Sequence, residues 1–334
     1  MFLDNILITG GCGFLGVSLI KKLLALQSKN IRLIDNLSVG KKKHLRQVCE
    51  FTEINPNNLK SSPNGLELIV GDIRDQELAI KVAKGIDTII HLAANTGVGP
   101  SIEKPQVDMS VNIIGTFNYL EASRVNKISK FIFASSGAPI GEVEPPIHEE
   151  IPPHPLSPYG ASKLAGEGYC SAYKNTFGIE TVVLRFGNVY GPGSINKSSV
   201  VAKFIRKAIN GDILEIYGDG MQTRDFIYID DLINAIIIAV EKHNIGGEIF
   251  QIASNQETTI IEMTNKLINE LKKQGVKNIN IKNISIRTGD MKRNFSDTSK
   301  AKERLGWNAQ INLTEGLSKT VSYFLNKIGK GVVE

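Results

Sequence analysis

Tyr159–Lys163 reads YGASK. A spacing of four puts the phenol and the ammonium on one helix face. Tyrosine is a poor base at neutral pH, and a neighbouring ammonium is expected to lower its pKa by favouring phenolate. The same lysine could hydrogen-bond a ribose. Ser135 and Ser136 end an apolar run, and Ser136 could bridge the phenol and a substrate hydroxyl. Alone, this spacing also fits an amphipathic surface pair, and the serines fit a strand-end turn. A second constellation gives it weight. Thr9–Gly16 reads TGGCGFLG, with glycines at 10, 13 and 16 between an apolar run and a helical pattern. The first glycine allows a tight turn, the second lets backbone approach a pyrophosphate, and the third permits close helix–sheet contact. Asp35 ends the next apolar run, about 20 residues on, where a carboxylate accepts from both ribose hydroxyls and repels a 2′-phosphate. That favours NAD over NADP. Lys41-Lys42-Lys43 could hold such a phosphate, but a lysine run is usually a solvated face.

These groups need elements to carry them. Apolar runs at Asn5–Thr9, Ile31–Ile34, Leu66–Val70, Thr88–Leu92, Lys130–Ala134 and Thr181–Arg185 alternate with helical patterns at Gly16–Leu26, Asp75–Lys84, Gln106–Val125 and Tyr159–Phe177. Continuous apolar strands separated by helices predict a parallel sheet covered on both faces. The expected class is α/β, a doubly wound parallel-sheet Rossmann domain with a smaller mixed α/β substrate-binding domain. After Tyr190 the pattern loosens. Strands are expected at Leu214–Tyr217 and Phe226–Ile229, and helices at Val200–Ile209, Asp230–Val240, Thr258–Gln274 and Thr314–Asn326. The expected division is 1–188 plus about 226–253 for the dinucleotide domain, and 189–225 plus about 254–334 for the other. Gly141–Ser157 carries five prolines, which marks a rigid excursion and not a linker.

The 334 residues are 42% hydrophobic and 22% charged, which excludes collagen-like, low-complexity and disordered classes. With 39 basic and 34 acidic residues the net charge is +5, too weak a bias to argue for nucleic acid. The three cysteines form no CxxC pair, so neither a disulfide scaffold nor a structural zinc site is expected, and no other metal site is foreseen. Met1–Gly11 lacks a basic n-region and a small-residue cleavage site, and Ala235–Val240 is too short to span a bilayer. The expected compartment is the cytoplasm, with no membrane association.

TGGCGFLG, Asp35, Gly71-Asp72-Ile73, HLAA at His91–Ala94, ASS at Ala134–Ser136 and YGASK occur in order. LRFGNVYGP at Leu184–Pro192, IYGDGMQTRDFIYIDD at Ile216–Asp231, RTGD at Arg287–Asp290 and DTSKAKERLGW at Asp297–Trp307 follow. Together they resemble the extended short-chain dehydrogenase/reductases of the NAD-dependent epimerase/dehydratase family, and within it the UDP-hexose 4-epimerases. The resemblance implies NAD over Gly10, Gly13, Phe14, Leu15 and Gly16. Asp35, Asn36 and Ser38 would hold the adenosine ribose and nearby phosphate, Asp72 and Ile73 would flank adenine, and Leu92, Ala93 and Ala94 would line the trough. Asn112 would lie beside the active site. Tyr159 would be the catalytic base, tuned by Lys163, with Ser136 relaying the proton.

The resemblance also implies a nucleotide-sugar site between two lobes. Asn188 would touch the diphosphate, Arg224 and Arg287 would clamp it, Asp290 would accept from ribose, and Tyr217 would stack near uracil. Val201 would join the substrate site, and Asn294 would stand at the sugar pocket near the C2 substituent. A homodimer is implied, built from the helices at Gln106–Val125 and Tyr159–Phe177. Ile113, Phe117, Leu120, Tyr169 and Tyr173 are the apolar residues expected beyond the needs of the sheet.

Departures from the family's patterns narrow the chemistry. The 4,6-dehydratases place Thr-Asp-Glu where this chain has Ser136-Gly137-Ala138, and the decarboxylating branch keeps a Glu at the position of Ala138. Uronate epimerases usually show Thr in place of Asn188 and an Arg in place of Gly99. C4 epimerisation through a transient 4-keto sugar is what remains. Ala138-Pro139-Ile140-Gly141 departs from the usual valine-tyrosine-glycine ending, and proline fixes φ and removes an amide donor. The alternatives are another C4-oxidising nucleotide-sugar enzyme, such as a reductase or a deoxysugar epimerase, and a silent NAD-binding scaffold or sensor.

Overall fold

A computed structural model describes residues 5–285 and 291–328. The strands are β1 (Ile6–Thr9), β2 (Ile31–Asp35), β3 (Thr52–Glu53), β4 (Leu66–Val70), β5 (Thr88–His91), β6 (Lys130–Ser136), β7 (Glu180–Phe186), β8 (Asn188–Tyr190), β9 (Leu214–Tyr217), β10 (Thr223–Arg224), β11 (Phe226–Tyr228), β12 (Ile249–Ile252), β13 (Thr258–Thr259) and β14 (Ile281–Ile284). The helices are α1 (Phe14–Ala25), α2 (Lys42–Arg46), α3 (Gln76–Val82), α4 (Val98–Glu103), α5 (Pro105–Met109), α6 (Gly115–Asn126), α7 (Pro158–Phe177), α8 (Val200–Asn210), α9 (Ile229–Glu241), α10 (Ile260–Lys273) and α11 (Leu313–Ile328).

The main sheet runs β12-β7-β6-β5-β1-β2-β4-β3. The pairings of β1 with β2 and β5, of β2 with β4, of β3 with β4 and of β5 with β6 are parallel. This is the doubly wound α/β class. Every residue of β2 is buried, so the strand shows no alternation. Even Arg32 is fully buried there, its Nε on Glu67 at 2.9 Å and its other nitrogens on the carbonyls of Val82, Lys84 and Lys60. The chain leaves β1 toward β2 and later enters β5 on the other side of β1. The loops after β1 and β5 therefore diverge, and ligands bind at such a switch point.

Contacts divide the chain into two units. The first comprises Met1–Gly141, Pro152–Arg185 and Ile233–Phe250; the second comprises Glu142–Ile151, Phe186–Leu232 and Gln251–Glu334. The proline-rich stretch 142–151 falls in the second unit, whereas its place in the chain suggests the first. Ile147 N donates to Phe295 O, Asp297 N donates to Ile147 O, and Glu149 accepts from Gln251 N. Within the second unit β8 pairs with β11 and β9 with β14, both parallel, while β10 and β13 are antiparallel.

The single helix expected over Gln106–Val125 is α5, a π-helical turn at Ser110–Ile114, then α6. α4 and the edge strand β12 are additional. The IFQI of β12 is too short to announce itself, and pairing with β7 defines it. α7 begins where its caps dictate: Ser157 Oγ accepts from Gly160 N, Pro158 takes the first position, and Gly178 closes the helix at φ 74°. Among the described residues no helix is long and apolar enough to cross a membrane, and no cluster of His, Cys, Asp or Glu could hold a metal ion.

Candidate active site

The loop from β1 to α1 is built for close approach by a ligand. Gly10 has φ 74°, and a Cβ on Gly16 would collide with the carbonyl of Gly10. Gly13 precedes α1 without a side-chain cap, and the first turn holds no acidic residue, so the leading N–H groups of the helix suit an anion. Asp35 is 8% exposed, and its two oxygens accept from Cys12 N at 2.9 Å and Leu37 N at 2.8 Å. Each keeps a lone pair for a diol. Burial raises this carboxyl above its usual range. Asn36 Oδ1 accepts from Ser38, and Asn36 Nδ2 reaches Asp72 at 3.1 Å. Arg74 pairs with Asp72 and holds that carboxyl well below its usual range. A dinucleotide fits these residues. Lys42 is engaged by both oxygens of Glu53 at 2.8 and 2.6 Å, which weighs against its holding a 2′-phosphate. Ile73 is expected beside adenine, but its side chain is turned into the core, where a Cβ on Gly115 would strike it.

His91 ties this loop to the helices. Thr116 Oγ1 donates its single proton to Asn112 O at 2.6 Å, so His91 Nε2–H donates to Thr116 Oγ1 at 3.2 Å. Thr9 Oγ1 then donates to His91 Nδ1 at 3.0 Å, and accepts from the backbone of Leu92 and Ala93. Burial, and secondarily the charge of Lys163, push the imidazole down to about 3, so it stays neutral. Ala94 continues this segment half-buried.

Ser136, Tyr159 and Lys163 come from the end of β6 and the first two turns of α7. Lys163 is 3% exposed, with Nζ on Ala134 O at 2.8 Å and 4.9 Å above the Phe133 ring. Burial lowers its ammonium to about 8, against the opposing charges of Asp108 and Glu167. The phenol of Tyr159 moves the other way from the sequence expectation. Burial pushes it up to about 12, the hydrogen bond with Ser136 pulls it down, and Asp108 adds to the rise. Desolvation outweighs the hydrogen bond with Ser136, so the neutral phenol is favoured.

Asn112 is buried in the π-helical turn. Its Oδ1 accepts from Asn95 N at 2.8 Å, and its Nδ2 lies 3.0 Å from each of Asn95 O, Asp108 Oδ1 and Ser162 Oγ, its two protons shared among the three acceptors. Sequence reasoning missed Asp108, Glu167 and Arg185. Glu167 lies four residues after Lys163 on the same face of α7, and Asp108 four before Asn112, so helical spacing could have flagged both.

The second unit holds a cavity of about 220 Å³ lined by Asn188, Val200, Lys203, Tyr217, Gln222 and Arg224 among others. The expected residues Asn188, Tyr217 and Arg224 thus meet. Arg224 Nη1 donates to Thr223 O at 2.6 Å and Met291 O at 2.9 Å, which fixes the guanidinium. Val201 is buried in this unit's core and is not a lining residue; its neighbour Val200 is. One position along α8 turns a side chain by about 100°, which accounts for the exchange. Asn294 is half-buried beside this strand, its N donating to Thr223 Oγ1 at 3.2 Å. Arg287 and Asp290 lie outside the described residues.

A glycine cradle at the switch point of a doubly wound sheet, with a tyrosine–lysine pair on the same unit, defines a dinucleotide-dependent enzyme that acts on a hydroxyl. The chain belongs to the NAD dependent epimerase/dehydratase family, which it matches over residues 6–253. It is an NAD-dependent enzyme of the UDP-sugar epimerase group. It is 33% identical to the UDP-glucose 4-epimerase of Mycolicibacterium smegmatis over 328 residues, covering 96% of this chain and 98% of that one. It resembles the crystal structure of the Thermotoga maritima UDP-glucose 4-epimerase with UDP-glucose at a TM-score of 0.84 and 34% identity, covering 98% and 100%. The UDP-N-acetylglucosamine 4-epimerase of Methanobrevibacter ruminantium, in complex with UDP-N-acetylmuramic acid, aligns at a TM-score of 0.86 and 31% identity, covering 98% and 100%.

Proposed function

We propose that the protein interconverts C4 epimers of a UDP-hexose, UDP-glucose and UDP-galactose, and also their N-acetylated forms. The observation that carries this reading is the acid–base inventory. Tyr159, Lys163 and Ser136 are present, whereas Gly137 and Ala138 follow the serine where elimination chemistry would need carboxylates. Such a site can move one hydroxyl proton off and on. Bound NAD would supply a reversible hydride acceptor for C4.

Gly10, Gly13 and Gly16 let backbone close on the cofactor's pyrophosphate, and Asp35 takes the adenosine ribose diol. Tyr159 takes the C4 hydroxyl proton, directly or through Ser136, and gives it back after the sugar has turned over. Because burial favours the neutral phenol, positive charge must be brought to it, and Lys163 supplies that from the same helix face. Asn188 and Arg224 hold the diphosphate and Tyr217 the uracil, so the sugar turns about a fixed nucleotide.

The test is to incubate the protein with UDP-galactose and with UDP-N-acetylgalactosamine and to separate the products. Conversion to the gluco isomers without net change in NADH is expected. Stoichiometric NADH formation, or no interconversion, would overturn the reading.

A further inference from the structure

Asp108 is the fourth residue of α5 and is 1% exposed. Its Oδ1 accepts from Asn112 Nδ2, but its Oδ2, equally buried, has no hydrogen-bond partner. Isolated buried carboxylate oxygens are costly, and native proteins rarely keep one without a use. The surroundings indicate the use. Asn112 Nδ2 also donates to Ser162 Oγ, and Ser162 Oγ donates to Tyr159 O at 3.0 Å. A continuous polar chain therefore runs from Asp108 to the first turn of α7. The π-helical turn is what brings Asn112 into it, and π-bulges often mark functional sites.

The charges around the pair single out Asp108. From α7, Lys163 and Tyr159 both sense its carboxylate. Glu167 and Cys170 also act on Lys163, but Glu167 is neutralised by the fork of Arg185 and by Ser135. From β5, His91 faces Lys163 and is neutral. α4, which also packs on α5, offers only the exposed Glu103, and Lys104 between them is exposed. Burial raises the Asp108 carboxyl, while the charge of Lys163 draws it back toward the charged form.

We propose that Asp108 is a positioning residue for the Tyr159–Lys163 pair, holding the first turn of α7 through Asn112 and Ser162 and supplying the unneutralised negative charge against which both groups give up their protons. The proposal rests on the reading of Tyr159 and Lys163 as the acid–base pair. A carboxylate at this place makes the phenol harder to ionise and the ammonium harder to discharge. Removing its charge moves both groups in one direction, toward lower pH. A side chain that only fills space would change the amount of activity and leave its pH dependence where it was.

The test compares wild type, Asp108→Asn and Asp108→Ser in two measurements. The first is the pH profile of kcat for UDP-galactose epimerisation from about pH 6 to 10. The second is the ultraviolet difference titration of phenolate, each protein being read against the same protein carrying Tyr159→Phe. In both neutral variants the acid and alkaline limbs should move together to lower pH by about one unit, and the Tyr159 midpoint should fall with them. Asp108→Glu, which restores the charge, should return the profile toward wild type. Loss of kcat by the same factor at every pH, an unchanged profile, or an unmoved Tyr159 midpoint would overturn the proposal. Failure of both neutral variants to fold would make Asp108 structural and overturn it as well. If wild type shows no turnover, the functional reading fails, and the phenolate titration alone decides the role of Asp108.

Discussion

Arg185 grips Glu167 with two prongs: Nε and Nη2 lie 2.9 and 2.7 Å from the two carboxylate oxygens, and both side chains are 3% exposed. Ser135 Oγ adds a third bond to Glu167 at 2.6 Å. The cluster joins β7, β6 and α7 one residue before Ser136 and one turn after Lys163. Arg185→Leu leaves Glu167 buried without its cation, which typically costs about 3–5 kcal/mol. Urea unfolding should show that loss, and the double variant with Glu167→Leu should recover a substantial part of it. Equal stability of Arg185→Leu and wild type would show that the pair adds nothing net to the fold.

Tyr159→Phe removes the proton acceptor and keeps the ring. Turnover should fall by about 10²–10⁴-fold, while circular dichroism and NAD content stay as in wild type. Wild-type turnover in this variant would remove Tyr159 from the mechanism.

His91 predicts an acid-labile fold. Its folded pKa of about 3 lies below the ordinary 6.5, so the unfolded chain binds a proton in that window that the folded chain refuses. The contribution is complete above about pH 6.5 and is lost as pH falls toward 3, on the order of a few kcal/mol across the window. His91→Gln should be less stable at pH 8 yet show a flatter decline between pH 6.5 and about 4. Parallel declines in chemical-denaturation series at several pH values would assign the acid sensitivity to other groups.

A homodimer is expected through the outer face of α4 to α7. Ile102, Val107, Met109, Ile114, Tyr169 and Phe177 are 40–60% exposed there, an apolar surface that a monomer rarely leaves open. Leu120 and Tyr173, expected to join this surplus, belong instead to the core of the first unit. Light scattering at micromolar concentration should give twice the chain mass of 36.5 kDa. A monomeric mass would refute the prediction.

Asn294 tests the substrate range. It is smaller than tyrosine, and its amide can pair with an acetamido group. Asn294→Tyr should slow UDP-N-acetylgalactosamine selectively and spare UDP-galactose. Equal slowing of both, or a wild type that ignores N-acetyl sugars, would show that Asn294 does not face the C2 substituent.

The glycine loop, Asp35 and the Tyr159–Lys163 pair were legible in the sequence because each depends on local periodicity: a turn between strand and helix, or four residues along one helix face. The alternation of apolar runs with helical patterns likewise announced the parallel sheet. What local spacing could not carry was set by contacts far apart in the chain. The protonation of Tyr159 is one case. Four-residue spacing suggests a lowered phenol, yet burial, which depends on everything folded around the ring, raises it. The partners of Glu167, the place of β12 and the orphaned oxygen of Asp108 are others. Each is a property of what surrounds a residue once the chain has closed on itself, and the desolvation of a single polar group depends on segments far from it in the chain.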